Sequence, residues 1–224
     1  MNLKTINSCI GQYKVKLSDP EYDGWRLWEL VAQFQKSWDL NASDMSQMYK
    51  SSFEFNSPLW NQDNYYPKKA MERYINVNED LVRASFKDLM NEKREISGRI
   101  DRFAFQCDEL YKMDRKLTEK VEPHFHGDKR MIFIYLSFLY PDSYSLYDFP
   151  LFKLFMEKIG SKSSPLEADI ERYVKVCKTL SVLIQKDKEL IDIVQDNVFQ
   201  ITNDQLFPML LVFELYGFVG HYKF

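Results

Sequence analysis

The chain has little glycine and little proline, with seven and eight residues of each among 224. So few turn formers argue against a turn-rich all-β protein and against a disordered chain. Hydrophobic residues make up 45% of the sequence, which is enough to bury a sizeable core. The composition therefore predicts a folded, helix-rich protein.

Cysteine is also scarce. Cys9, Cys107 and Cys177 are widely spaced and form no CxxC pair, so neither a disulfide framework nor a paired-cysteine zinc motif is predicted. The N-terminus lacks a signal-like apolar stretch, and the longest apolar run, residues 131–140, is shorter than the roughly 17–25 residues that span a bilayer. We expect reduced thiols, a cytoplasmic location and no membrane contact.

Sequence motifs for common chemistry are absent. The chain contains no GxxxxGK[ST], GxGxxG, GxSxG or HExxH pattern, so we predict no nucleotide hydrolysis, no catalytic residue and no cofactor. The cysteines lie on apolar stripes, which is typical of core positions. An enzyme whose helical active site follows none of these motifs is a further alternative.

Hydrophobic periodicity predicts an all-α fold, built as one bundle-like domain over residues 24–224. Residues 1–23 are expected to form a turn-rich lead-in, and short extended segments are allowed at both termini. Asn41 or Ser43 is the expected cap of the second helix, Pro67 lies in a first turn, and Asn78 caps the helix after it. Further helices are predicted over residues 24–38, for about 25 residues from Ile96, over residues 129–140, in a segment that closes at Gly160, and over residues 165–186 and 187–196, with a capping box at residues 202–205 before the last one.

The formal net charge is only −3, so phosphate binding would require a local basic patch. Residues 60–73 are the best candidate, because cations in a first helical turn oppose the helix dipole and need some other reason to be there. Lys129 and Arg130 form a second basic pair. The candidate nucleic-acid-binding residues are Lys68, Lys69, Arg73, Lys129 and Arg130, with Trp60, Tyr65 and Tyr66 expected to be exposed and to stack on bases.

That segment also has a simpler interpretation, in which the tyrosines pack a loop onto the bundle and the lysines solvate a surface. The histidines raise the separate possibility of a metal site. His124 and His126, with His221 and Asp128, are potential ligands, but their spacing matches no common metal motif. We therefore predict no bound metal.

Several short segments, taken in order, resemble a known family. They are residues 34–40 (FQKSWDL), 65–71 (YYPKKAM), 100–103 (IDRF) and 126–132 (HGDKRMI), continuing through Tyr135, Tyr140 and Tyr147. In order and spacing they resemble the helical region that precedes the motor in bacterial AAA-type ATPases of the Mcr-type (methylcytosine-directed) restriction class. The resemblance covers roughly residues 25–197.

This resemblance implies a recognition or adaptor module of a restriction or phage-defence system. The implied partners are DNA and a motor ATPase or nuclease subunit, while the missing Walker A loop excludes motor activity from this chain. The alternative is a protein-interaction scaffold without nucleic-acid contact. That alternative predicts an exposed apolar patch formed by the aromatics of residues 140–152 or by the C-terminal tail.

Overall fold

The structure, a computed structural model, describes residues 2–117, 122–203 and 205–221. Over these residues the chain is mainly helical, with no strand, and the predicted all-α fold is confirmed. The helices are α1 (Leu3–Leu17), α2 (Arg26–Ser37), α3 (Met45–Ser52), α4 (Pro67–Val77), α5 (Glu79–Leu89), α6 (Ile96–Leu117), α7 (Arg130–Leu139), α8 (Phe149–Lys158), α9 (Ile170–Ile184), α10 (Lys188–Thr202) and α11 (Pro208–His221).

Helix boundaries follow local capping chemistry. Asn78 caps α5 as predicted, with its side-chain oxygen accepting a hydrogen bond from the Leu81 backbone N–H. Gly160, at φ +69°, follows the end of α8, where its missing side chain removes the steric cost of a left-handed residue. α3 is capped by Asp44 and not by Asn41 or Ser43, because Asp44 accepts from the Gln47 N–H.

Both chain ends differ from expectation. The expected lead-in contains helix α1, which Asn2 caps and which buries a stripe ending at Leu17. At the other end α11 continues to His221, so the described termini are helical and not extended. Residues 222–224 of the predicted tail lie outside the described residues.

Two later boundaries were also predicted wrongly. α9 begins at Ile170 behind an Asp169 cap, and not at Pro165. α10 ends at Thr202, because the C-cap residue Asn203 turns the chain with a left-handed backbone at φ +51°. The Thr202 hydroxyl donates to the Gln205 carbonyl at 2.6 Å beyond the helix. The expected capping box therefore does not open α11; its Asp204 lies outside the described residues.

The chain divides into two compact units, where the sequence had favoured one domain over residues 24–224. We call residues 33–139 the central unit; the terminal unit comprises residues 1–32 and 140–224. In the terminal unit α11 packs on α8, α9 and α1. In the central unit α4 and α5 pack on α6, and α3 packs on α4.

The core of the central unit is aromatic and centres on Tyr135 of α7. Its ring makes edge contacts with Phe86 and Phe53, at centroid distances of 4.9 and 5.8 Å. Its hydroxyl is fully buried and lies 2.9 Å from the Tyr49 hydroxyl and 3.2 Å from Nε2 of His126. Residues from α3, α5 and the segment before α7 are thus joined at one side chain.

In the parts of the chain that the structure describes, no helix combines the length and the apolar character needed to cross a bilayer.

The terminal unit contains a carboxylate held among aromatic side chains. Glu214 of α11 accepts hydrogen bonds from the Tyr13 hydroxyl at 2.7 Å and from Nε1 of Trp28 at 3.3 Å. Burial raises the pKa of Glu214 to about 7, and the hydrogen bonds from Tyr13 and Trp28 only partly oppose this. Trp28 is fixed in turn by stacking on Phe207.

We expect Glu214→Gln to change how stability depends on pH. The folded-state pKa of about 7 lies above the ordinary 4.5. The contribution of Glu214 to the free energy of unfolding is therefore fully present below pH 4.5 and is lost as the pH rises through 7. Glutamine does not titrate. The two proteins should be similarly stable at pH 5, and the variant should be more stable at pH 8 by about 1–3 kcal/mol. Urea unfolding at both pH values measures this, and parallel pH profiles would contradict it.

Candidate nucleic-acid interface

The first turn of α4 is unusual in its charge. Pro67 occupies its first position, the preceding Tyr66 makes no side-chain cap hydrogen bond, and no acidic residue lies in the turn. Lys68 and Lys69 follow directly. Without a side-chain cap, the positive end of the helix dipole and two lysines lie together, and this arrangement favours an anion.

A shallow pocket of about 180 Å³ opens beside this turn. Its walls combine lysines, amides, acids and two aromatic side chains, so it offers both donors and acceptors. Phe55 is 40% exposed there and provides an accessible ring face. The lining residues are Glu54, Phe55, Asn56, Trp60, Asn61, Lys68, Lys69 and Glu72.

The two lysines of the turn have different environments. Nζ of Lys68 donates to the Phe53 carbonyl at 2.7 Å and lies 3.8 Å from Glu72, so this lysine already ties α4 to the end of α3. Lys69 is exposed, and its Nζ lies 4.9 Å from the centre of the Tyr66 ring. No carboxylate of a described residue forms an ion pair with Lys69, so its charge is available to a ligand.

Arg73 faces inward. Its Nε donates to Oδ2 of Asp114 on α6 at 3.0 Å, and the Asp114 side chain is only 5% exposed. A second bond, at 3.4 Å, goes to the carbonyl of Glu122. A buried carboxylate requires such a partner, so Arg73 is explained by structure alone.

The second basic pair lies at the start of α7. Arg130 is bound by Asp128, whose Oδ2 accepts from its Nε at 2.7 Å, and its guanidinium lies 3.9 Å from the centre of the Tyr65 ring. Lys129 is partly exposed, has φ +67°, and forms no ion pair with any described residue. Of this pair, only Lys129 is free of a carboxylate.

The expected exposure of Trp60 and Tyr65 is wrong. Trp60 is 3% exposed because its ring packs edge-on against Phe53, and Tyr65 is 6% exposed because Phe125 and Arg130 cover it. Tyr66 retains partial exposure. Stacking by Trp60 or Tyr65 would require the loop to open. An exposed ring in the same polar loop is that of Phe55, for which the sequence pattern predicts no role.

The structure brings the two basic segments together. Phe125 makes edge contacts with Tyr65 and Tyr66, at centroid distances of 5.6 and 6.4 Å, and so joins the segment before α7 to the loop before α4. We use the term α4 surface for Tyr66, Lys69, Lys129 and Arg130, which lie around this junction. Lys68 and Arg73 are committed to internal bonds beside it.

Next to this junction the two histidines form a buried network. Nδ1 of His126 faces the His124 carbonyl, which can only accept, so this nitrogen carries the proton. Nε2 therefore accepts from the Tyr135 hydroxyl, and the Tyr49 hydroxyl donates to Tyr135. Burial lowers the pKa of His126 to about 3, which agrees with a neutral ring.

Cys107 of α6 lies beside these histidines, and one ligand atom from each of the three residues lies within 4.8 Å of the others. Two of the ligands considered from sequence belong elsewhere: Asp128 pairs with Arg130, and His221 lies on α11 of the terminal unit. The apolar stripe of α6 predicts Cys107 as a core residue, and nothing in the sequence connects it with the histidines 17 and 19 positions later.

No family model matches the chain, and neither a curated protein nor a solved structure was found to be similar to it.

We predict that Arg73 contributes to stability through its buried partner. Arg73→Ala leaves the Asp114 carboxylate buried without its cation, which should lower the free energy of unfolding by about 2–3 kcal/mol. Lys112→Ala is the matched control, since Lys112 forms an exposed ion pair with Glu109 on the same helix and should cost less than about 1 kcal/mol. Denaturant unfolding of both variants tests this. Adding Asp114→Asn to Arg73→Ala should restore part of the loss, and equal effects of the two single variants would count against the assignment.

Proposed function

We propose that the chain is a non-catalytic recognition or adaptor module that contacts DNA through the α4 surface. The observation that supports the proposal is the environment of Lys69. This lysine is exposed at an uncapped helix N-terminus without an acidic first turn, it has no ion pair among the described residues, and it faces the ring of Tyr66. Lys129 adds a second cation, without a carboxylate partner, in the adjoining segment.

This arrangement suits a phosphate group. A phosphate at the start of α4 would meet the positive end of the helix dipole and the ammonium of Lys69. The exposed ring of Phe55 and the amides of Asn56 and Asn61 line the pocket beside it. They offer stacking and hydrogen bonding to an unpaired base or a sugar.

The number of available cations limits how tightly this surface binds. Arg130 is already paired with Asp128, Arg73 with Asp114, and Lys68 with Glu72. Two cations correspond to about two phosphate contacts, which give weak and salt-sensitive binding. An isolated module of this kind needs a partner to hold it on DNA, which fits an adaptor better than a free-standing DNA-binding protein.

The wider setting rests on the sequence resemblance to the region before the motor of Mcr-type restriction ATPases. On that basis the proposed setting is a restriction or phage-defence system in the cytoplasm, and the proposed partner is a motor ATPase or a nuclease. The competing scaffold hypothesis expected an exposed aromatic patch in residues 140–152. Four of the large apolar side chains in that segment are buried, which weakens that version of the scaffold: Tyr144, Leu146, Tyr147 and Phe152 are all 6% exposed or less. Tyr140, Phe149 and Leu151 are only partly exposed.

We expect the wild-type chain to bind a fluorescent duplex weakly at low salt, with a plot of log affinity against log salt whose slope is about −2. Lys69→Glu and Lys129→Glu should each weaken binding about tenfold or more and move the slope about one unit toward zero, since each removes one phosphate contact. Fluorescence anisotropy over a salt series measures both quantities.

Lys87→Glu is the matched control, because it makes the same charge change at an exposed lysine of α5 outside the α4 surface. It should leave the slope unchanged. Duplexes with and without methylated cytosine, and a single strand, should be compared in the same series. Absence of any complex at low salt, or equal losses in all three variants, would contradict the proposed DNA contact.

A further inference from the structure

The cluster of Cys107, His124 and His126 offers a set of donors that none of the proposed DNA contacts uses. Cys107 belongs to α6 and is 1% exposed, and His126 belongs to the segment before α7 and is fully buried. The His124 side chain is 13% exposed. One sulfur and two imidazole nitrogens thus converge, from two separate parts of the central unit, on a space less than 5 Å across.

Each histidine already has the outer partner that metal-bound histidines usually have. Such a ligand almost always donates its second ring N–H to a carboxylate or a backbone carbonyl. Nε2 of His124 lies 3.0 Å from Oδ1 of Asp108, and Nδ1 of His126 faces the His124 carbonyl. The nitrogens left for a metal are Nδ1 of His124 and Nε2 of His126.

Those two nitrogens act only as hydrogen-bond acceptors, so a metal ion can take the place of their donors. Nδ1 of His124 accepts from the His126 backbone N–H at 3.0 Å, and Nε2 of His126 accepts from the Tyr135 hydroxyl at 3.2 Å. A metal ion would replace both donors. Tyr135 would keep its hydrogen bond with Tyr49.

The backbone between the histidines is also strained. Phe125 has φ +61°, a left-handed conformation that bulky residues rarely adopt. Strained residues persist where the surrounding structure holds them, and they cluster at functional sites. A ligand that holds His124 and His126 to α6 would provide such a constraint.

We propose that Cys107, His124 and His126 bind one zinc ion, which ties the segment before α7 to α6. A thiolate with two imidazoles is a ligand set that zinc favours, and the fourth coordination position falls to solvent. On binding, Cys107 releases its proton to solvent as the zinc–sulfur bond forms. The site is structural and does not depend on DNA binding.

The first test is the metal content of the native chain, purified without a histidine tag. After incubation with zinc and passage over a weak chelator, mass spectrometry should find about one zinc per chain. Strong chelators should remove the zinc and lower the unfolding temperature, and added zinc should restore it. A wild-type chain that retains no zinc, and whose unfolding temperature zinc does not change, would overturn the proposal.

The second test assigns the ligands. Cobalt(II) in place of zinc should give the absorption bands of a four-coordinate site together with a sulfur-to-cobalt charge-transfer band. Cys107→Ser should abolish the charge-transfer band, and His124→Asn should lower the bound metal at least tenfold. Cys177→Ser is the matched control, because Cys177 is equally buried but lies on α9. If Cys107→Ser does not fold, the cobalt spectrum of the wild type decides: bands without sulfur charge transfer would exclude Cys107 as a ligand.

Discussion

The central unit depends on one constraint, which is that the buried hydroxyl of Tyr135 must have a hydrogen-bond partner. Aromatic rings surround it and water does not reach it, so an unpaired hydroxyl there would cost about 1–3 kcal/mol. Tyr49 and Nε2 of His126 supply the two bonds. This fixes the orientation of the His126 ring, and with it the path of the chain from His124 into α7. The position of the junction between Phe125 and the loop before α4 follows from the same hydrogen bonds.

A second theme is the division of the positive charges between structure and ligand binding. Basic residues that are close in sequence have different partners. Lys68 donates to a backbone carbonyl, Arg73 pairs with a buried acid, and Arg130 pairs with Asp128. Lys69 and Lys129 have no such partners among the described residues. Local sequence does not indicate the partners of Lys68 and Arg73, because these come from the end of α3 and from α6. Asp128, by contrast, lies only two residues before Arg130. Counting lysines and arginines therefore overstates the strength of a binding surface.

Sequence patterns predicted most of the helices, because apolar stripes such as the one on α6 and caps such as Asn78 depend on neighbouring residues alone. They failed where distant contacts decide the outcome. Trp60 and Tyr65 lie in a polar loop and read as exposed, but Phe53 and Phe125, from other elements, cover them. Cys107 and His126 are separated by 19 positions, and only the return of the chain beside α6 brings them together. The sequence likewise did not indicate the buried environment of Glu214, because its partners Tyr13 and Trp28 come from the start of the chain.

The left-handed backbone at Lys129 has a consequence for any attempt to improve this protein by selection. Asparagine tolerates φ near +67° better than lysine does, so a search for thermal stability alone would favour Asn at this position. The same exchange would remove one of the two cations of the α4 surface that form no ion pair with a described residue. Stability and the proposed DNA contact therefore compete at a single residue, and a library screened only for heat resistance would select against that contact.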